Sequence, residues 1–241
     1  MNFSRIKIQY ICKAINFIFL FSFYQIACQN TKNNIGKLSN NQSCDSLIIA
    51  PFHGTIFIDP DIVTPEDYST FINLSYNGRA ERIMFDRRVA DWITINPYLF
   101  PANYDDSIQI EIQVNPEFGD LASAKLQAEK FAPVIGQLST ELRKDVQTVW
   151  IHKGNYPFGG GNNNLLIHTD YSILNYEEQG ILEETLIHEA AHTSLDAYHA
   201  ENSLWLDAQK ADCGFISSYA EEHTLREDIA ESFLPYFAIR Y

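Results

Sequence analysis

The stretch ILEETLIHEAAHTSL, residues 181–195, decides how the rest of this chain is interpreted. Its apolar residues recur at helical spacing, which predicts a helix that is buried over much of its surface. Glu183 and Glu184 fall in the first turn, where the helix dipole favours negative charge. Four residues turn an α-helix through about 400° and advance it by about 6 Å, so His188 and His192 project from one face. Two imidazoles on one face can bind the same ion.

The pentapeptide HEAAH at 188–192 matches HExxH, the pattern of zinc hydrolases. In that pattern both histidines bind the metal, and the glutamate takes the proton from its bound water. Glu189 is therefore expected to act as a base and not as a ligand. The alternative interpretation is that the two histidines are satisfied core residues or a surface pair. A third ligand is needed to decide, because a catalytic zinc site has three protein ligands and one open position.

The third ligand is sought downstream of His192. His199 would lie about 10 Å further along a continuous helix, too far to bind the same ion. The metzincin pattern HExxHxxGxxH is excluded, since Leu195 and Tyr198 stand at its glycine and third histidine positions. Asp196 could anchor the helix, but a surface aspartate explains it equally well, and it is left out of the expected site.

Two glutamates four residues apart, Glu227 and Glu231, share one face of the helical stretch 226–233. One can bind the metal while the other accepts a hydrogen bond from the free ring nitrogen of a metal-bound histidine, which fixes its tautomer. A solvated acidic face is the commoner role of such a segment on its own. Either glutamate can be the ligand at this point.

HExxH followed by a short helix with ExxxE resembles the gluzincins. The local pattern is similar to the branch that includes anthrax lethal factor and the Pro-Pro endopeptidases. In that branch an edge strand precedes HExxH, and a tyrosine shortly precedes the glutamates. The corresponding segments here are 165–169, the HEAAH helix, 218–220 and the pair Glu227 and Glu231. The resemblance covers roughly residues 107–241.

The resemblance implies His188, His192 and Glu227 as ligands of one Zn²⁺ per chain. It implies Glu189 as the general base. The expected function is a zinc-dependent peptidase that hydrolyses peptide bonds with a metal-activated water, acting on a peptide or protein substrate. The alternative is a secreted, non-catalytic binding protein that retains a zincin scaffold and a structural metal site.

The resemblance also implies roles for two further residues. Tyr219 would donate its hydroxyl to the oxyanion, where a preorganised donor contributes most. His223, four residues later, is the alternative donor. Glu231 would hydrogen-bond a metal-bound histidine. A zinc amidase or deformylase with Cys44 or Cys213 as third ligand is a weaker alternative, since neither cysteine lies in a ligand motif.

The expected fold class is α+β and zincin-like. It has a small mixed sheet with an edge strand over the active-site helix, and a β-rich N-terminal part. The edge strand is expected at 164–169, because it directly precedes the HEAAH helix. The triple glycine at 159–161 is expected to be a flexible turn before it. A substrate peptide could pair its backbone with the free strand edge.

Periodicity predicts the other elements. Residues 107–114 alternate polar and apolar, which predicts a half-buried strand, and 146–152 predicts a second one. A helix over 121–132 is expected to end near Pro133.

The N-terminal part carries a hairpin signal. Asn77-Gly78 lies between the strand-like segments 71–76 and 79–85, a pattern typical of a two-residue hairpin. Residues 45–106 are therefore expected to be rich in β-strands. They could pack onto the catalytic sheet or form a separate lobe.

The first residues predict export. A basic start followed by a mostly apolar run at 14–27 predicts a signal peptide or lipoprotein leader. Cys28 directly follows this run, so the expected location is secreted or cell-envelope, and an uncleaved anchor is the alternative. Cys44 and Cys213 could form a disulfide in an oxidising compartment. The expected organisation is a leader at 1–28, a linker at 29–44, the β-rich part at 45–106 and the catalytic domain at 107–241.

Charge limits the expected partners. The chain has 31 acidic against 17 basic residues and a net charge of −14. Such a surface disfavours nucleic acid and anionic membranes, so a membrane would be contacted only through an N-terminal lipid anchor. It would tolerate or attract basic substrates, although charge alone carries no specificity.

Overall fold

The computed structural model of this chain describes residues 48–56 and 62–240. This part of the chain forms two compact units. The sheet unit comprises residues 62–197, and the C-terminal unit comprises 48–56 together with 198–240. The expected leader and linker, with Cys28 and Cys44, lie outside the described residues. Within the described ranges, no helix combines the length and the apolar character that crossing a membrane requires.

The sheet unit contains a six-stranded mixed sheet in the order β1-β4-β5-β6-β8-β7 and a separate two-stranded sheet of β2 and β3. β5, β6 and β8 run parallel, whereas β1 with β4, β4 with β5 and β7 with β8 are antiparallel. With seven α-helices in the described ranges, the predicted mixed α+β class is confirmed. The strands are β1 (Phe71–Leu74), β2 (Arg82–Asp86), β3 (Asp91–Ile95), β4 (Tyr98–Tyr104), β5 (Gln109–Val114), β6 (Thr148–His152), β7 (Gly159–Gly161) and β8 (Asn164–His168).

One face of the six-stranded sheet forms the core. Ile112, Val149 and Leu165 lie side by side in the register of β5, β6 and β8, and all three are fully buried. Because side chains alternate along each strand, their neighbours two residues away face the same way. The first helix, α1 (Leu121–Ile135), packs on β4 and β5. The alternation of polar and apolar residues that predicted β5 therefore corresponds to an apolar face in the structure.

The opposite face is covered by the β2–β3 hairpin. Arg82 forms an ion pair with Glu111 at 2.8 Å. Trp92 packs edge-on against Trp150, with ring centroids 5.5 Å apart. β1 and β4 come from the segment before residue 107, so this segment contributes strands to the same sheet and not a separate lobe.

The remaining helices lie after β5. Pro133 lies inside the last turn of α1, so the helix runs past the predicted end, at the loss of one backbone hydrogen bond. The sheet unit continues with a 3₁₀ turn (Pro116–Phe118), α2 (Thr140–Arg143), α3 (Thr169–Ser172), a π-helix (Ile173–Glu177) and all but the last two residues of α4 (Leu182–His199).

The C-terminal unit is mainly helical, with α5 (Ser203–Asp212), α6 (Ser218–Glu222) and α7 (Glu227–Arg240). Asn202 caps α5, and Ser217 caps α6 by accepting a hydrogen bond from Ala220 N at 3.0 Å. Phe52 pairs with Ser217 in an isolated parallel bridge. Cys213 is disulfide-bonded.

The predicted Asn77-Gly78 hairpin is wrong. β1 pairs with β4, and β2 pairs with β3. The Asn-Gly pair is hydrogen bonded to Leu99 of β4, through Asn77 N to Leu99 O and Leu99 N to Gly78 O. Gly78 does adopt the positive φ, 79°, that the dipeptide favours. No hairpin turn forms at these two residues. The largely buried strand β4 pairs both with β1 and with the Asn77-Gly78 segment.

The predicted position of the edge strand is also wrong. The segment at 164–169 forms β8, but β8 lies between β6 and β7, and all five of its residues are buried, as is typical of an interior strand. At this end of the sheet the outermost described strand is β7, the triple glycine that is expected from the sequence to be a turn. Three glycines carry no side-chain alternation, so periodicity cannot identify them as a strand.

The edge strand lies directly against α4. A Cβ atom on Gly160 would lie 1.8 Å from the carbonyl oxygen of Glu189 and 2.9 Å from its Cα. Thr193 Oγ1 accepts a hydrogen bond from Gly161 N at 2.9 Å and lies 2.8 Å from the carbonyl oxygen of Asn164. The absence of a side chain at 160 is therefore what lets this strand approach the helix.

Gly160→Ala is expected to lower the free energy of unfolding by about 2 to 3 kcal/mol, because the new methyl group collides with helix backbone that cannot move aside. Gly161→Ala is the control, since its Cβ meets nothing within 4 Å while its φ is 121°. Backbone strain alone makes that change cost about 1 kcal/mol. If denaturant unfolding shows that Gly160→Ala and Gly161→Ala lower the free energy of unfolding equally, the contact between Gly160 and the helix is unimportant.

Two histidines lie buried at the carboxyl ends of neighbouring parallel strands. His152 of β6 and His168 of β8 are paired in register, and their rings stack with centroids 5.5 Å apart. Asn115 Nδ2 lies 2.9 Å from His152 Nδ1, and Lys153 O lies 3.0 Å from His168 Nδ1. Burial lowers the pKa of both, that of His152 from 6.5 to about 4.

This burial predicts a loss of stability in acid. A histidine with a lowered folded pKa binds more protons when unfolded, so stability falls as pH drops through 6.5 towards 4. His152 alone is expected to contribute about 2 kcal/mol of loss between pH 7 and pH 5. Denaturant titrations at both pH values, with chelator present, should show that His152→Gln is less sensitive to pH than the unmodified chain. If His152→Gln loses as much stability between pH 7 and pH 5 as the unmodified chain does, the prediction is wrong.

Candidate metal centre

The HEAAH motif lies on the buried part of α4, as its pattern predicts. His188, Glu189 and His192 are all buried. The Nε2 atoms of the two histidines lie 3.1 Å apart, and the rings meet edge to face with centroids 4.8 Å apart. Two Nε2 atoms at this distance cannot both carry a hydrogen. The helix thus directs two ring nitrogens to a single point.

Asp196 orients one of these rings. Its Oδ2 atom lies 2.8 Å from His192 Nδ1. Because a carboxylate only accepts, Nδ1 carries the hydrogen, and Nε2 keeps its lone pair for an ion. The sequence signal was the four-residue spacing from His192, but this spacing alone did not separate a positioning residue from a surface one.

The acidic pair lies at the start of α7. Glu227 and Glu231 are both buried, so this segment is not a solvated acidic face. Arg226 Nε lies 3.2 Å from Glu227 Oε1. Ser217 Oγ donates to Glu231 Oε2 at 2.6 Å, so the same serine caps α6 and anchors this carboxylate. The contact predicted between Glu231 and a metal-bound histidine stays a prediction.

Tyr219 and His223 lie together on α6 and its C-terminal cap. Their rings pack edge to face with centroids 4.9 Å apart. The two candidate donors to the oxyanion are therefore neighbours, and the choice between them stays open.

His188, His192 and Glu227 form a buried group that could hold a metal ion. One potential ligand atom from each lies within 4.8 Å of the others. The group contains Glu227 and not Glu231. Two imidazole nitrogens and one carboxylate oxygen are a donor set that suits zinc and related divalent metals, and three ligands leave one position for water. The residues present therefore fit such an ion.

Tyr176 lies close enough to Glu189 for the charge of the glutamate to affect the pKa of the tyrosine. This tyrosine belongs to the π-helix, a distortion that is frequent at functional sites. Its hydroxyl lies 3.4 Å from Phe158 N, just before the edge strand. Burial raises the pKa of Tyr176, and the negative charge of Glu189 raises it further. No sequence signal pointed to Tyr176, nor to Thr193, which joins α4 to β7.

Comparison with family models, with curated proteins and with solved structures gave no match to this chain. The assignment of this centre therefore depends on its own geometry and on the motif.

Asp196→Asn is expected to weaken binding of Zn²⁺ by about 10- to 100-fold, because an amide no longer holds the His192 tautomer by charge. The affinity can be measured by competition with a chromogenic chelator. Asp207→Asn is the matched control. Asp207 is exposed, and its ion pair with Lys210 is long, at 3.9 Å, and open to solvent. If both variants bind metal like the unmodified chain, Asp196 does not orient the ligand.

Proposed function

We propose that this chain is a zinc-dependent peptidase of zincin type, which resembles the gluzincins. The observation that carries the proposal is the convergence of His188 Nε2 and His192 Nε2 at 3.1 Å on a helix with the HExxH pattern. The buried grouping of these histidines with Glu227 supports it, because a catalytic site needs a third protein ligand.

Zinc is the ion we assign to this group. When bound, zinc makes a water molecule more acidic and polarises a peptide carbonyl. Neutral imidazoles and a carboxylate match its preferences, and Asp196 supports the imidazole form that binds. His188, His192 and Glu227 would hold one ion per chain.

The protein's own groups would move the protons. Glu189 follows His188 directly, is buried, and has no place in the ligand group. It would take the proton of the attacking water and return a proton to the leaving amine. Tyr219, or its neighbour His223, would donate a hydrogen bond to the oxygen that becomes negative in the transition state.

The edge strand would hold the substrate. β7 is hydrogen bonded to β8 on one side and, within the described residues, to no strand on the other. An extended peptide can pair its backbone with such an edge. Gly160 lies against Glu189, so a paired peptide would run past the proposed base. Recognition through the backbone would be largely independent of sequence.

We also propose that the protein acts outside the cytoplasm, secreted or held at the cell envelope through Cys28. The disulfide of Cys213 supports an oxidising compartment. The net charge of −14 supports peptide over nucleic acid as the substrate.

The test is Glu189→Gln. Cleavage of peptides from a broad fluorogenic library is expected to fall by about 10²- to 10⁴-fold, the contribution of a general base. Zinc content, measured by elemental analysis, should stay near one ion per chain. Glu178→Gln is the matched control, since Glu178 is exposed on the segment just before α4.

Two results would contradict the proposal. If the unmodified chain, kept free of chelators and offered zinc, holds no metal, the histidine pair is structural. If it holds zinc but cleaves no peptide in the library, a non-catalytic binding protein with a structural metal site is the better description.

A further inference from the structure

Arg87 is a half-buried arginine with no acidic partner among the described residues. It lies in the loop that joins β2 to β3. Its neighbour Arg88 is bound by Asp86 at 2.7 Å and by Glu117. In contrast, no side chain or carbonyl among residues 48–56 and 62–240 forms a hydrogen bond or ion pair with Arg87. This is unusual in a chain with 31 acidic residues.

The guanidinium of Arg87 lies against the edge strand. A Cβ atom on Gly159 would be 2.7 Å from Arg87 Nη2 and 3.5 Å from Cζ. The side chain of Arg87 thus fills the space that a side chain at position 159 would take. It leaves the guanidinium beside β7, whose outer edge carries no strand in the described part of the chain.

Strand alternation defines which substrate residue would meet this group. Gly160 faces α4, where it contacts Glu189, so Gly159 faces the opposite side of the sheet, where Arg87 lies. Residues paired across two strands point to the same face, with Cβ atoms about 5 Å apart. The residue of a bound peptide that lies opposite Gly159 would therefore direct its side chain towards Arg87.

We propose that Arg87 binds a carboxylate of the substrate, the side chain of an Asp or Glu opposite Gly159. The inference rests on the proposed peptidase function and on pairing of the substrate with β7. A guanidinium offers several donors in a plane and binds a carboxylate through two hydrogen bonds. A half-buried guanidinium without an internal partner gains more from such a ligand than an exposed one.

The net charge of −14 does not oppose this assignment. At physiological ionic strength, charges on the surface are screened beyond about 8 Å, whereas contact pairs are screened much less. The overall charge would disfavour peptides that are acidic throughout. The expected substrate therefore has one acidic residue at this position and neutral or basic residues elsewhere.

The experiment is a positional scan with peptides amidated at the C-terminus, carrying Glu, Gln or Lys at each position in turn. At one position, Glu is expected to give a kcat/KM about five- to tenfold above Gln, as a partly buried ion pair does. Arg87→Gln should remove this preference, and Arg87→Glu should reverse it in favour of Lys. Lys125→Gln is the charge-matched control, because Lys125 is exposed on α1 and pairs with Glu129. It should keep the preference.

A second measurement does not require turnover. Fluorescence anisotropy of the same peptides with the Glu189→Gln variant should show the same Glu preference, lost on adding Arg87→Gln. A second set of peptides lacks Glu and ends in a free C-terminal carboxylate. Comparing the two sets shows whether Arg87 binds a side-chain carboxylate or the carboxylate of the C-terminus. Thermal melts of Arg87→Gln should lie close to those of the unmodified chain, because the change removes no hydrogen bond or ion pair of the described residues and only part of the packing against Gly159.

The outcomes separate the two proposals. Cleavage without an acidic preference, or a preference that Arg87→Gln leaves intact, would overturn the role of Arg87 and leave the peptidase standing. A requirement for the free C-terminus would overturn the side-chain ligand. Arg87-dependent binding of acidic peptides without any cleavage would support the recognition and overturn the peptidase.

Discussion

The contact between Gly160 and the backbone of Glu189 sets the geometry on which the candidate centre depends. A side chain at position 160 would collide with the helix carbonyl at 1.8 Å. Only glycine lets an edge strand lie so close to a helix that carries two potential ligands and a base. Thr193 holds the two elements together by accepting a hydrogen bond from Gly161. Packing of β7 on the α4 backbone therefore places a strand edge, which pairs with no other strand in the described ranges, beside the proposed base.

The same constraint explains which features could be predicted from the sequence. The HEAAH helix, β5 and β6 formed because their apolar residues recur at the spacing that burial requires. Strand β7 could not be predicted, because three glycines show no alternation of polar and apolar side chains. The hairpin at Asn77-Gly78 was wrong because local turn preference competes with a buried strand, and the buried strand decides the pairing.

For the candidate centre, chemistry was easier to predict than geometry. The motif identified His188 and His192. The glutamate spacing left Glu227 and Glu231 as alternatives, and the resemblance to the gluzincins implied Glu227, which the structure groups with the two histidines. Asp196 lies outside the site expected from the sequence, because four-residue spacing is common on any helix and only its 2.8 Å contact with His192 distinguishes it. Arg87 carried no signal, since its position against Gly159 arises from long-range packing.

Two histidine pairs in this chain show why proximity alone does not make a metal site. Asn115 accepts a hydrogen bond from Glu117 N at 3.0 Å, which turns its amide nitrogen towards His152 Nδ1. His152 thus carries its hydrogen on Nε2.

His168 donates from Nδ1 to Lys153 O, so its Nε2 keeps a lone pair. The sheet pair therefore offers an ion one Nε2 lone pair and not two, and neither Nε2 atom has a hydrogen-bond partner among the described residues. On α4, Asp196 places the hydrogen of His192 on Nδ1, as Lys153 O does for His168, and here the Nε2 atoms of His192 and His188 converge at 3.1 Å. Neighbouring donors and acceptors set the tautomers of His152, His168 and His192, and the tautomer decides which ring nitrogen keeps a lone pair for an ion.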